Sequence, residues 1–149
     1  MCLKNVMPCL IIFLFACSGL KTGVQKGQGL SGYIYLLRGN QMPSPGRVIS
    51  KGRGVSREIF IYGPTNSSQA TGSSPMYYRI NTRLIAQTKS DTTGYYSINL
   101  PTGTYSVFIK EDGKFFAAES NGAGTLNPVQ VGPGRITEKD FTLNNKAVY

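Results

Sequence analysis

The chain has 149 residues, with 16 basic and 7 acidic side chains and a formal net charge of +9. It holds no His and no Trp, and its three cysteines, Cys2, Cys9 and Cys17, all precede position 18. The rest of the chain therefore lacks the ligands of the usual zinc, haem and iron–sulfur centres, the His base of a catalytic triad and the thiols of a disulfide scaffold.

The N-terminus carries one early charge, Lys4, and an apolar run from Val6 to Ala16. A helix through that run spans only ~16 Å, about half of a bilayer core. It is too short to cross a membrane and fits the apolar region of a signal peptide over residues 1–16. Its end, Leu14-Phe15-Ala16-Cys17-Ser18-Gly19, resembles the lipobox of bacterial lipoproteins. That resemblance implies cleavage before Cys17, lipidation of its thiol and anchoring by acyl chains, each buried methylene adding ~0.8 kcal/mol. Ser18 at the next position implies, by resemblance to Gram-negative sorting, the outer membrane of the cell envelope. Cys2 and Cys9 leave with the signal.

Residues 17–29 hold the lipidated Cys and a tether rich in Gly, Lys, Gln and Thr, expected to be flexible. Residues 30–149 form the predicted domain. Its texture is short β-rich runs between Gly, Pro, Asn and Asp, which predicts an all-β sandwich or barrel. The first strand is predicted at Gly32 to Leu37 and the second at Arg57 to Tyr62. Residues 63–75 read as a low-complexity polar loop, and Tyr77 to Thr88 as one or two strands. Tyr96, Ile98 and Leu100 alternate with Tyr95, Ser97 and Asn99, the period of a half-buried strand. Tyr105, Val107 and Ile109 likewise alternate with Ser106, Phe108 and Lys110. Glu111-Asp112-Gly113-Lys114 predicts a tight hairpin, because Asp-Gly tolerates positive φ. Phe115 to Ala118 returns, and Pro128 to Val131 and Ile136 to Leu143 are the predicted closing strands. Gly94 and Gly103 are expected at turns that need permissive backbone. Tyr105 is expected to bury its ring and send its hydroxyl to backbone.

Two blocks carry a family resemblance. Gly32-x-Ile34 followed by Gly39-Asn40-Gln41-Met42-Pro43 is similar to the start of carboxypeptidase regulatory-like domains. The run from Asp91-Thr92-Thr93-Gly94-Tyr95-Tyr96 through Pro101-Thr102-Gly103-Thr104-Tyr105-Ser106-Val107 resembles their most specific block, and Asp140-Phe141-Thr142-Leu143 their close. The resemblance spans roughly residues 30–145, apart from inserted residues between the first two strands and at 63–81. It implies a single seven-stranded transthyretin-like β-sandwich. It implies no peptidase activity, because in that family a separate domain binds the zinc and this chain has no His.

The charge is uneven. Residues 18–57 carry Lys21, Lys26, Arg38, Arg47, Lys51, Arg53 and Arg57 and no acid, so +7 of the +9 lies there. An exported chain seldom meets nucleic acid, so no nucleic-acid partner is expected. Lys21, Lys26, Arg47, Lys51, Arg53 and Arg57 are candidates for contact with anionic headgroups, at up to ~1 kcal/mol per charge, or with anionic polysaccharide. The bland alternative is a solvated basic face that favours solubility.

Seven carboxylates remain: Glu58, Asp91, Glu111, Asp112, Glu119, Glu138 and Asp140. A glycosidase needs two of them facing each other, yet each has a structural explanation in a turn or strand. Asp91 is expected to hydrogen-bond its own turn, and Glu111 and Asp112 flank a hairpin tip. No catalytic residue, metal site or cofactor is expected. Tyr77 and Tyr78, beside the polar loop, are candidates for stacking on sugar rings; the bland alternative buries one and leaves the other on the surface. Asp91-Thr92-Thr93 also resembles a short bacterial O-glycosylation acceptor.

These readings converge on a non-enzymatic, lipid-anchored envelope accessory protein. It is expected to act as a protein-interaction or structural module with an envelope protein partner; a glycan-binding module is the alternative. Metabolic labelling with palmitate tests the anchor directly. Label is expected on the wild-type chain and absent from Cys17→Ala; equal labelling of both contradicts lipidation at that residue.

Overall fold

A computed structural model describes residues 26–46, 48 and 50–148; Cys17, Lys21 and Arg47 lie outside them. The described chain is all β, with one 3-10 turn at Ser67–Gln69. Its strands are β1 (Gly29–Asn40), β2 (Arg53–Gly54), β3 (Glu58–Tyr62), β4 (Ala70–Ser73), β5 (Met76–Ile80), β6 (Leu84–Lys89), β7 (Tyr95–Asn99), β8 (Gly103–Glu111), β9 (Lys114–Phe116), β10 (Pro128–Val131), β11 (Ile136–Glu138) and β12 (Phe141–Val148). They form a five-stranded and a seven-stranded sheet, packed as a sandwich rather than a closed barrel.

The first sheet is built around β1, which has partners on both sides. Its first half pairs with β7 antiparallel and β11 parallel. Its second half pairs with β2 antiparallel and β12 parallel. The predicted closing strand from Ile136 to Leu143 is thus two strands, broken at Lys139-Asp140. Gly32 permits this break to lie close, since a Cβ there would fall 2.0 Å from the Lys139 carbonyl. The second sheet runs β4-β5-β9-β8-β3-β6, with β10 also on β8.

The main core lies between the sheets. Leu30, Ile34 and Leu36 of β1, Tyr96 of β7, and Phe141 and Leu143 of β12 meet Ile59 and Ile61 of β3, Val107 and Ile109 of β8, and Phe116 of β9. Each set has the two-residue spacing of a strand face. The predicted alternation in β7 holds, with Tyr96 and Leu100 buried and Tyr95, Ser97 and Asn99 exposed.

In β8 both sets of alternating residues are buried. Tyr105, Val107 and Ile109 face the first sheet, while Ser106 and Phe108 are covered from the other side. Phe108 packs edge-to-face with Tyr62, Tyr77 and Phe115, at centroid distances of 5.6, 6.4 and 6.2 Å. Ala70, Ala117 and Leu126 complete this outer cluster. Its cover comes from the stretch read as a polar loop. Thr65 is fully buried and its amide donates to the Ser106 hydroxyl at 2.9 Å. Its carbonyl accepts from the Leu126 amide, and residues 70–80 form the β4–β5 hairpin. Asn127 fastens the opposite loop: its Nδ2 donates to the Val107 carbonyl and its Oδ1 accepts from the Glu119 amide, both at 3.0 Å.

The predicted turns are present with one correction. Asp112 and Gly113 take positive φ at the β8–β9 hairpin. Gly94 has φ +91°, and a Cβ there would sit 2.4 Å from the Ile34 carbonyl. Gly103, by contrast, needs no left-handed backbone: it stands at the start of β8, with a Cβ position 3.4 Å from the Tyr105 ring. Tyr105 donates its hydroxyl to the Pro101 carbonyl at 2.7 Å, as expected. The ordered fold also begins before residue 30. Gln28 is buried, donating to the Leu100 carbonyl and accepting from the Gly134 amide.

Phe108→Ala is expected to destabilise the domain by about 3–5 kcal/mol, read as a lower urea midpoint. A loss near 1 kcal/mol would mean that the outer cluster is loosely packed.

Candidate functional site

The four basic candidates among the described residues divide. Lys26, Lys51 and Arg53 are exposed, but Arg57 turns inward and donates to Glu111. Glu111 is 1% exposed, and Lys146 of β12 approaches its other oxygen at 2.9 Å. The cause is topological. Glu111 ends β8 in the second sheet, so a carboxylate buried there needs cations on both sides; Arg57 precedes β3, and Lys146 reaches across from the first sheet. Arg57 is therefore committed to this ion pair instead of facing an anionic surface, and Glu111 is more than a hairpin flank. No sequence spacing links positions 57, 111 and 146, so only the fold reveals the group.

Burial alone pushes the Glu111 carboxyl up, but the hydrogen bonds and charges of Arg57 and Lys146 outweigh it and hold it below its ordinary value. Asp91 is also lowered, first by the Thr93 hydroxyl at 2.6 Å and then by the Thr93 and Tyr95 amides, so it caps its own turn as expected. Among the remaining acids, Glu119 pairs with Lys139 at 2.6 Å and Asp112 with Lys146 at 3.1 Å. Among the described residues no group of three His, Cys, Asp or Glu side chains is placed to hold a metal.

The adjacent tyrosines divide as strand alternation requires. Tyr77 is 2% exposed, locked against Phe108, so it cannot stack on a sugar. Tyr78 is 63% exposed, with the Lys114 ammonium 4.8 Å above its ring.

A different tyrosine group stands on the outer face of the first sheet. Tyr33 and Tyr35 are two residues apart on β1, and Tyr33 lies opposite Tyr95 of β7 in register. The Tyr33 and Tyr35 rings stack with centroids 5.9 Å apart and planes at 19°, while Tyr33 and Tyr95 meet edgewise at 5.4 Å. These rings wall a cleft of about 310 Å³ that also reaches Lys51, Glu138 and Asp140. Asp140 Oδ1 accepts from the Tyr33 amide at 2.9 Å, which fixes the carboxylate at the cleft. The two-residue spacing of Tyr33 and Tyr35 is a sequence signal that they share a face; that Tyr95 stands on the same face follows from the β1–β7 register. The approach of the Lys139-Asp140 break has no such signal.

A third exposed feature is the edge of the second sheet. Strand β6 pairs with β3 on one side, and among the described residues no strand pairs with its other side. No residue of β6 is buried, and Leu84 and Ile85 are 45% and 40% exposed.

No protein-family model, curated protein or solved structure matches the chain.

The lowered Glu111 carboxyl sets an acid limb of stability. Its contribution is present above the ordinary carboxylate value of about 4.3 and is lost as pH falls through the lower folded-state value. Glu111→Gln is expected to cost about 1–3 kcal/mol at pH 7, because Arg57 and Lys146 keep partial access to water. The stability difference is expected to hold near neutral pH and to shrink as pH falls below the ordinary carboxylate value; a difference that does not change on acidification would contradict a charged Glu111.

Proposed function

We propose that the chain is a non-enzymatic accessory module of the cell envelope, anchored by lipid at Cys17, that holds a partner protein by strand addition along β6. The sandwich is read here as a transthyretin-like member of the carboxypeptidase regulatory-like group, on the sequence blocks at 32–43 and 91–107. A sandwich fold hosts many functions, so the surface must carry the choice.

The observation that carries it is the open β6 edge. Open edges are usually blunted by central charges, Pro or bulges directed against pairing. Between Arg83 and Lys89, β6 reads Leu-Ile-Ala-Gln-Thr, with no charge and no Pro; its one irregularity, where the pairing with β3 skips Ile85, lies at the start of the strand and leaves Ala86 to Lys89 in regular register. An incoming strand gains main-chain hydrogen bonds there and apolar contact with Leu84 and Ile85. Self-pairing is disfavoured: two antiparallel copies bring Arg83 and Lys89 of one chain beside the same charges of the other. A partner segment with acidic flanks fits better. The absence of His from the whole chain supports binding rather than hydrolysis.

A photo-crosslinker at Gln87 of the full chain, activated in cells, is expected to give one discrete protein adduct. The adduct is expected to disappear with Ile85→Asp at unchanged thermal midpoint. An adduct that survives that change, or none at all, overturns strand addition at β6.

A further inference from the structure

We propose that the outer face of the first sheet is a carbohydrate-binding site, which takes a neutral or amino-bearing oligosaccharide in the cleft walled by Tyr33, Tyr35 and Tyr95. This site is separate from β6, which lies at the edge of the other sheet.

The chemistry begins with the ligand class. A pyranose has an apolar C–H face and a rim of hydroxyls that both donate and accept. Its binder needs a flat apolar ring, with acceptors and donors around it. Tyr33 and Tyr95 are 39% and 43% exposed, and each offers an aromatic surface together with a hydroxyl. Glu138 and Asp140 supply acceptors at the rim, and Lys51 supplies a donor.

The rings are also held in place before any ligand arrives. Tyr33 is flanked by Tyr35 on its own strand and Tyr95 on the next. The main chain of Tyr33 is fixed by Asp140. Little side-chain freedom is left to lose on binding, and this favours affinity. A volume of about 310 Å³ lies at the small end of ligand pockets.

The cross-strand pair of Tyr33 with Tyr95 supports the sheet, but it leaves much of both rings in water. The inward residues of β1 and β7 build the core, while their outward neighbours Ser97 and Asn99 on β7 and Thr142 on β12 are small and polar. Three large rings at the centre of that polar face bury nothing of the core and expose part of their apolar surface to water.

Charge selects within the class. The rim carries two carboxylates and one ammonium, and among the described residues no cation forms an ion pair with Glu138 or Asp140. A uronic acid meets a net negative rim and is repelled; a neutral or amino sugar is accepted.

The test uses the full chain in detergent on an array of neutral, amino and acidic oligosaccharides. Retention of neutral or amino glycans is expected. The best-retained glycan is then titrated by tyrosine emission, which no Trp obscures. Tyr33→Ala and Tyr95→Ala are each expected to weaken binding about tenfold or more. Tyr33→Phe and Tyr95→Phe keep the ring and are expected to stay within about threefold, and Tyr78→Ala to leave binding unchanged. Should the alanine variants fail to fold, Glu138→Lys reads the same site: it is expected to raise affinity for an oligogalacturonide. Retention of acidic glycans only, retention of none, or Glu138→Lys and folded alanine variants that bind like wild type overturn the site.

Discussion

The constraint on which the molecule depends is that β3 and β8 are apolar on both faces. Ile59, Ile61, Val107 and Ile109 point to the first sheet, while Phe60, Tyr62 and Phe108 point away from it. A sheet with two apolar faces has to be covered twice. The first sheet supplies the inner cover. The outer cover is made from loops, the 63–69 stretch and the 117–127 stretch, which cross over Ser106 and are joined there through Thr65 and Leu126. The first part of the apparent insertion at 63–81 is thus lid to a second core, while its β4–β5 hairpin extends the second sheet and sends Tyr77 into that core.

Surface roles follow from this division. With the second sheet covered on both sides, the outer face of the first sheet is, among the described residues, the broad sheet surface left open, and the tyrosines stand there. The second sheet is left with its edge, β6. The ion pair of Glu111 with Arg57 and Lys146 ties the sheets near the end of β8. It also removes Arg57 from the exposed charge of the 46–57 region. The +7 counted over residues 18–57 therefore overstates by one charge how basic the visible surface of that stretch is.

Much of the inner core was legible, because it is local. The alternation of Tyr96 and Leu100 against Tyr95 and Ser97 needs one strand and one period. The Asp112-Gly113 turn and the Asp91 cap depend on neighbours within a few residues. The outer cluster was illegible for a physical reason: Ser106 and Phe108 alternate correctly with Val107, and nothing within β8 says that a distant loop will cover them. Ser, Thr and Gly at 63–75 conceal Thr65, whose partners lie at 106 and 126. The candidate site divides in the same way. Tyr33 and Tyr35 share a face by period alone, but Tyr95 joins them only through the antiparallel pairing of β1 with β7, and Asp140 only through the parallel pairing of β1 with β12, across more than a hundred residues of chain. Tyr77 was half-legible, since one of an adjacent pair had to point inward and the period did not say which.

Two-sided burial is tested most directly by nitrating the folded full chain with tetranitromethane and locating the modified tyrosines by mass spectrometry. Tyr33, Tyr78 and Tyr95 are expected to react first, and Tyr62, Tyr77, Tyr96 and Tyr105 to stay protected until the chain unfolds. Tyr62 and Tyr77 reacting as fast as Tyr78 would mean that the outer face of the second sheet is open, and would contradict the division of surfaces drawn from it.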